Sequence, residues 1–96
     1  MKILISDPLH NEGINVLKNA NFEIIDASEK TKEQKVKLAR SVDAWIVRSG
    51  TIIDKSSLDN ISNLKIIGRA GVGVDNIDIS SATKKGIIVV NTQDVN

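Results

Sequence analysis

Two stretches of this sequence carry residues able to do chemistry: "VRSGT" from Val47 to Thr51 and "GRAGVGVDN" from Gly68 to Asn76. Arg48 and Arg69 each close a short apolar run, and Gly71 and Gly73 follow the second arginine. A guanidinium presents a planar fork of donors to a carboxylate or phosphate, and a glycine-rich turn presents backbone N–H groups to the same kinds of oxygen. Together they suit a small ligand with two anionic groups. A dinucleotide fingerprint is the competing reading of the glycines, but it requires a third glycine and a helix opening directly from the turn, and both are missing. Plainer readings stand beside these. Either arginine can be a solvated strand-end residue paired with Asp7 or Asp75, and the glycines can serve only the geometry of a tight turn.

Other polar residues carry less. His10 has no acid placed to orient it and reads as a loop or helix-start residue. Asp75 and Asp78, three apart with no base or metal partner, read as helix caps. The run "EKTKEQKVK" reads as a solvated helix face, and Trp45 as core or a domain contact.

The elements that must position these residues follow from periodicity. Five β-branched runs, "KILIS", "FEIID", "AWIVR", "KIIGR" and "GIIVV", are nearly continuous in apolar character, as strands buried on both faces are. Helical signals separate them. Ile14, Leu17 and Ala20 lie at helical spacing between an Asn11 cap and an Asn21 stop, and Thr31 with Gln34 forms a capping box ahead of the inward-facing Val36 and Ala39. Asp54 or Ser56 can cap a short helix carrying Leu58 and Ile61. Asp78 can cap another, with Ile79 and Ala82 inward, Lys84 and Lys85 at the dipole's negative end and Gly86 as terminator. Strands alternating with helices predict an α/β fold: a flavodoxin-like open parallel sheet of five strands in three layers, joined by right-handed crossovers. In such sheets ligands gather beyond the carboxyl ends of the strands, which here carry "SDPLH", "VRSGT", "GRAGVGVDN" and "NTQ". The sequence shows no internal linker or repeat, and its polar end after the fifth run reads as an incomplete domain.

Composition narrows the function classes. The 96 residues are 41% hydrophobic and 26% charged with a net charge of +1, as expected of one small globular domain. Without cysteine, and with His10 as the single histidine, neither a disulfide framework nor a zinc cluster can form, so no metal site is expected. The four-residue apolar run before Asp7 is too short for a signal peptide or a membrane span, which leaves a cytoplasmic location as the default and no membrane partner. Balanced charge and only two aromatics, Phe22 and Trp45, give no basis for nucleic-acid binding.

From "VRSGT" through "LKIIGRAGVGVDNIDISSATKKGIIVVNT" the sequence resembles the N-terminal part of the NAD-dependent D-2-hydroxyacid dehydrogenases, and the likeness runs along the whole chain. The resemblance implies that residues 1–96 are the N-terminal portion of a substrate-binding domain, with the nucleotide-binding domain and its glycine fingerprint lying elsewhere. It implies that the backbone N–H groups of Val72 and Gly73 hold the substrate carboxylate, and that the nicotinamide of NAD approaches the same loop at Val72. Arg48, with Ser49 beside it, matches the arginine that reaches a substrate phosphate; Arg69 adds positive potential, and Asn91 falls near an interdomain crossover, where it is expected to contact substrate. The implied substrate is therefore a small phosphorylated hydroxy acid. The implied chemistry is hydride transfer to nicotinamide, with a histidine, a glutamate and an arginine acting; none matches a residue here, so no catalytic residue is expected in this chain. Gln93 departs from the proline usual after "NT". An uncovered apolar face and a homo-oligomer are further expectations. Two alternatives stay open: a relative acting on an unphosphorylated hydroxy acid, and a self-standing anion-binding module without enzymatic activity.

Overall fold

The computed structural model describes residues 1–9, 11–71, 73 and 75–91, with Asn11 and Glu12 known by their backbone alone. Among them run five strands, β1 (Lys2–Ile5), β2 (Glu23–Asp26), β3 (Ala44–Val47), β4 (Ile66–Arg69) and β5 (Ile88–Asn91). Between these lie α1 (Asn11–Asn19), α2 (Lys32–Ala39), α3 (Lys55–Leu58) and α4 (Ile79–Lys84). The strands pair in the order β2-β1-β3-β4-β5 and every pair is parallel, which is the flavodoxin-like sheet that the periodicity predicts.

The chain steps from β1 out to β2, then turns back across β1 to β3. Crossovers between parallel strands are right-handed as a rule, so that reversal sends α1 to one face of the sheet and the later helices to the other. Two apolar clusters result. Leu4, Trp45, Val47 and Ile67 pack with Ala39, Leu58 and Ala82 on the side of α2, α3 and α4. Ile3, Ile5 and Ala44 face the other way, against Ile14 and Leu17 of α1. Burial on both faces is why the strands read as unbroken apolar runs. Cover on the α1 side is incomplete: Ile46 and Ile66 are half-buried, and Ile88, the register partner of Ile66 on β5, is 62% exposed.

Local chemistry sets the helix ends. Thr31 and Gln34 form the expected capping box on α2, Asp54 with Ser57 forms another on α3, and the Asp78 carboxylate accepts from the Ser81 N–H on α4. Asn21 has φ 64° and Gly86 φ 75°, so both stop residues adopt the left-handed turn. Five expectations need correction. Asn11 is the first helical residue of α1 and not a cap ahead of it. Ala20 lies past the end of α1 and is exposed, because the turn into Asn21 begins there. Ile61 is buried but lies beyond α3, which makes only one turn. Ile79 is 43% exposed; Ile77 takes the inward place, held by a parallel bridge to Ile53. Lys35, in the charged run, points inward with its side chain only 12% exposed.

The cap hydroxyl of Ser57, aided by Ser56 and the Ser57 N–H, holds the Asp54 carboxyl well below its ordinary value of 3.8. Backbone N–H groups also lower the carboxyls of Asp78 (from Ser81), Asp26 (from Ser28) and Asp43 (from Lys2). A carboxyl whose folded pKa is depressed stabilises the fold above its unfolded pKa, and that contribution is lost as pH falls toward the folded value. Urea denaturation across a pH series is therefore expected to give a level stability near neutrality and a decline beginning at about pH 4. Asp54→Asn should make that decline shallower.

Candidate functional site

Strand order reverses between β1 and β3, and sheets of this kind leave room for a ligand beyond the carboxyl ends of such a pair. Asp7, two residues past β1, and the turn from Arg48 to Thr51, directly past β3, meet there. The Asp7 carboxylate is buried, with the residue 5% exposed. Its Oδ2 accepts from the backbone N–H groups of Arg48 (2.7 Å) and Thr51 (3.0 Å), and its Oδ1 accepts from the Thr51 hydroxyl (2.9 Å). Lys35 Nζ, 3.9 Å from Oδ1, supplies a countercharge. Behind this, Thr51 Oγ1 and Ser6 Oγ share a hydrogen bond of 3.0 Å, and the indole Nε1 of Trp45 donates to Ser6 Oγ at 2.8 Å. Trp45 is fully buried, as expected, and it also anchors a polar chain that reaches the turn. Gly50 lets the turn close, since a Cβ there would lie 2.7 Å from Asp7 Oδ1.

Asn76 grips the same turn from the other side. Its Nδ2 donates to the carbonyls of Arg48 (2.8 Å) and Thr51 (2.6 Å). Next to it the backbone of Ile53 pairs with the Asn76 carbonyl (2.9 Å) and the Asp78 N–H (2.8 Å), so the segment after β3 is sewn to the segment after β4. Arg48 and Ser49 stay exposed at the crest, with Arg48 Nη1 3.4 Å from the Pro8 carbonyl.

Arg69 and the glycine turn form a neighbouring group. The Arg69 side chain is mostly buried and its Nη1 donates to Asp75 Oδ1 at 2.9 Å. Asp75, 92% exposed, is thus an ion-pair partner and not the cap expected of it, while Asp78 is a cap. Gly73 has φ 81°, and a Cβ on it would sit 3.3 Å from Arg69 Nη1. Asn91 Nδ2 donates to the Gly73 carbonyl at 2.9 Å, which makes Asn91 a support of the glycine turn. Of the residues predicted from sequence, Arg48 and Ser49 share one turn, and Arg69, Gly73 and Asn91 share the adjacent one, with Asn76 joining them. Val72, His10 and Gln93 lie outside the described residues. Asp7, Lys35 and Asn76 were not predicted in these roles. An aspartate just past a buried strand and ahead of a proline was the available signal for the first.

The resolved cap geometry bears on cofactor binding. A pyrophosphate cradle uses free N–H groups at a helix N-terminus, and the side chains of Thr31, Asp54 and Asp78 each take one such group, from Gln34, Ser57 and Ser81. Among the described residues no three His, Cys, Asp or Glu side chains gather as a metal site, and no helix is long and apolar enough to cross a membrane.

Residues 3–96 match the family described as D-isomer specific 2-hydroxyacid dehydrogenase, catalytic domain. The chain belongs to that family. Among its relatives, D-3-phosphoglycerate dehydrogenase of Methanocaldococcus jannaschii is 47% identical over 94 residues, covering 98% of this chain and 18% of the relative. D-3-phosphoglycerate dehydrogenase of Bacillus subtilis is 41% identical over 96 residues, again covering 18% of the relative. The chain therefore spans about a fifth of the length of these curated relatives. Among solved structures, NAD+-bound 3-phosphoglycerate dehydrogenase of Entamoeba histolytica superposes with a TM-score of 0.80 at 34% identity, covering 96% of this chain and 32% of that one. A Pyrococcus horikoshii protein reaches 0.87 at 28% identity, covering 95% and 27%. The likeness to these solved structures agrees with the flavodoxin-like sheet.

Two glycine substitutions are expected to move stability in opposite directions. Gly73→Ala places a side chain at positive φ against Arg69 and should cost about 1–2 kcal/mol. Gly13→Ala, within α1 and with nothing within 4 Å of its Cβ position, should stabilise by about 0.5–1 kcal/mol. Midpoints of urea denaturation check both.

Proposed function

We propose that this chain is the N-terminal part of the substrate-binding domain of an NAD-dependent dehydrogenase that oxidises 3-phosphoglycerate to 3-phosphohydroxypyruvate, on the phosphorylated route to serine. The observation that carries this reading is the turn from Arg48 to Thr51: it is held rigidly from below by Asp7 and Asn76, and it leaves the guanidinium and the Ser49 hydroxyl exposed at the ligand edge of the sheet. A phosphate is the group that such a pair of donors recognises. The glycine turn one strand away, supported by Asn91 and backed by the Arg69 guanidinium, suits the carboxylate of the same acid. The names of the relatives above support the phosphorylated acid in particular.

In this reading NAD is bound chiefly by a nucleotide-binding domain outside the chain. NAD accepts a hydride when bound; these residues bind and orient the acid. The histidine, glutamate and arginine that carry the acid–base chemistry also belong to the other domain, so the 96 residues alone bind without turning over. The whole protein acts as a homo-oligomer, a reading supported by the apolar strip around Ile88 that α1 leaves open.

Calorimetric titration with 3-phosphoglycerate, using glycerate as the control, tests the substrate. The phosphorylated acid should bind at least about tenfold more tightly, and Arg48→Ala should remove most of that preference. Equal loss of both ligands in the variant would discard phosphate recognition and favour an unphosphorylated hydroxy acid.

A further inference from the structure

Asp7 is an anion buried under a turn that is read as an anion site, and that placement calls for a reason. A bare carboxylate there would repel the ligand. Its charge is instead absorbed by two backbone N–H groups and a hydroxyl within 3.0 Å, with Lys35 at 3.9 Å. Three charge-assisted bonds aimed at one four-residue turn fix its shape. Asp7 takes the N–H groups of Arg48 and Thr51, and Asn76 takes the carbonyls of the same two residues. Both ends of the turn are thereby pinned in both hydrogen-bonding senses, leaving Ser49 and Gly50 between them. The approach is so close that residue 50 has no room for a Cβ beside Asp7 Oδ1.

We propose that Asp7 is a positioning residue for the anionic substrate: it touches no ligand, yet it sets the direction in which Arg48 and Ser49 present their donors. Asn76 completes the clamp and ties its position to the glycine turn, so that the groups meeting the two ends of the acid are held at one spacing. Lys35 neutralises the carboxylate and leaves the potential above the turn to the guanidinium. This inference rests on the reading of Arg48 and Ser49 given above.

Three variants of the chain, Asp7→Asn, Arg48→Ala and the double substitution, test it through two readouts. Calorimetry gives the ratio of affinities for 3-phosphoglycerate and glycerate; amide hydrogen exchange gives the protection of Arg48 and Thr51, with Leu4 and Trp45 as internal controls. Asp7→Asn should reduce the affinity ratio about tenfold, have little further effect once Arg48 is absent, and speed exchange at Arg48 and Thr51 at least tenfold with Leu4 and Trp45 unchanged. A merely stabilising carboxylate would instead weaken both ligands alike and add to Arg48→Ala. A wild-type affinity ratio in Asp7→Asn with unaltered exchange in the turn would overturn the proposal. Gly50→Ala, which forces the turn away from Asp7 by sterics alone, must reproduce both effects, and it serves where Asp7→Asn does not fold. If the unaltered chain shows no preference for the phosphorylated acid, the substrate reading fails by itself; the exchange arm then decides the clamp, with faster exchange confined to the turn supporting it and unchanged exchange rejecting it.

Discussion

A buried carboxylate survives in a small domain only when its lone pairs are met, and the Asp7 carboxylate is met almost entirely by the turn it organises. Removing it from water would be costly without the N–H groups of Arg48 and Thr51 and the Thr51 hydroxyl. The dependence is mutual. Those backbone donors sit just past the end of β3, where no strand neighbour remains to accept from them, so without Asp7 they would have to turn to solvent and the turn would lose its shape. The network continues through Ser6 to the Trp45 indole, so the largest buried side chain in the core is also the last link of a polar chain starting at the carboxyl edge of the sheet. Core packing and site geometry are here one set of contacts.

The sheet makes this economical. Reversal of strand order between β1 and β3 brings residue 7 beside residues 48 to 51, more than forty positions away in sequence, by backbone pairing alone. The parallel bridge between Ile53 and Ile77, with Asn76 next to it, then fastens the exits of β3 and β4 together. Arg48 and Arg69 stand at the ends of adjacent strands, but they reach the ligand edge differently. Arg48 is exposed on its turn; Arg69 is largely enclosed and lies along the glycine turn under the eye of Asp75. In the proposed reading the first contacts the acid, while the second shapes the potential and supports the backbone. The ion pair itself adds little to stability because Asp75 is almost wholly in water.

The glycines illustrate how one residue type serves unlike ends. Gly50 has ordinary backbone geometry and is required by the nearness of a carboxylate, whereas Gly73 is required by a positive φ and by the guanidinium against it. A sequence pattern groups such residues together as a glycine-rich loop. Only the contacts separate them, and the next helix, α4, begins six residues past Gly73 and so does not open from the glycine turn.

The sequence by itself determined the strand count, the alternation with helices, the parallel class of the sheet, the caps at Thr31 and Asp78, and the stops at Asn21 and Gly86, and it narrowed the cap of α3 to Asp54 or Ser56. These depend on periodicity and on bonds spanning three or four residues, which a linear reading can follow. It also brought Arg48, Ser49, Arg69, Gly73 and Asn91 to one edge, because the ends of strands in such a sheet share an edge. The tertiary structure decided what each of them does there. Asp7 and Asn76 hold the arginine turn through bonds between residues 25 to 44 positions apart, Lys35 turns inward from a run that looks wholly solvated, and Ile77 displaces Ile79 from the core. No local pattern encodes such partners. Which side chain meets which carbonyl is set by strand order and register, and those are fixed by the packing of both faces of the sheet at once.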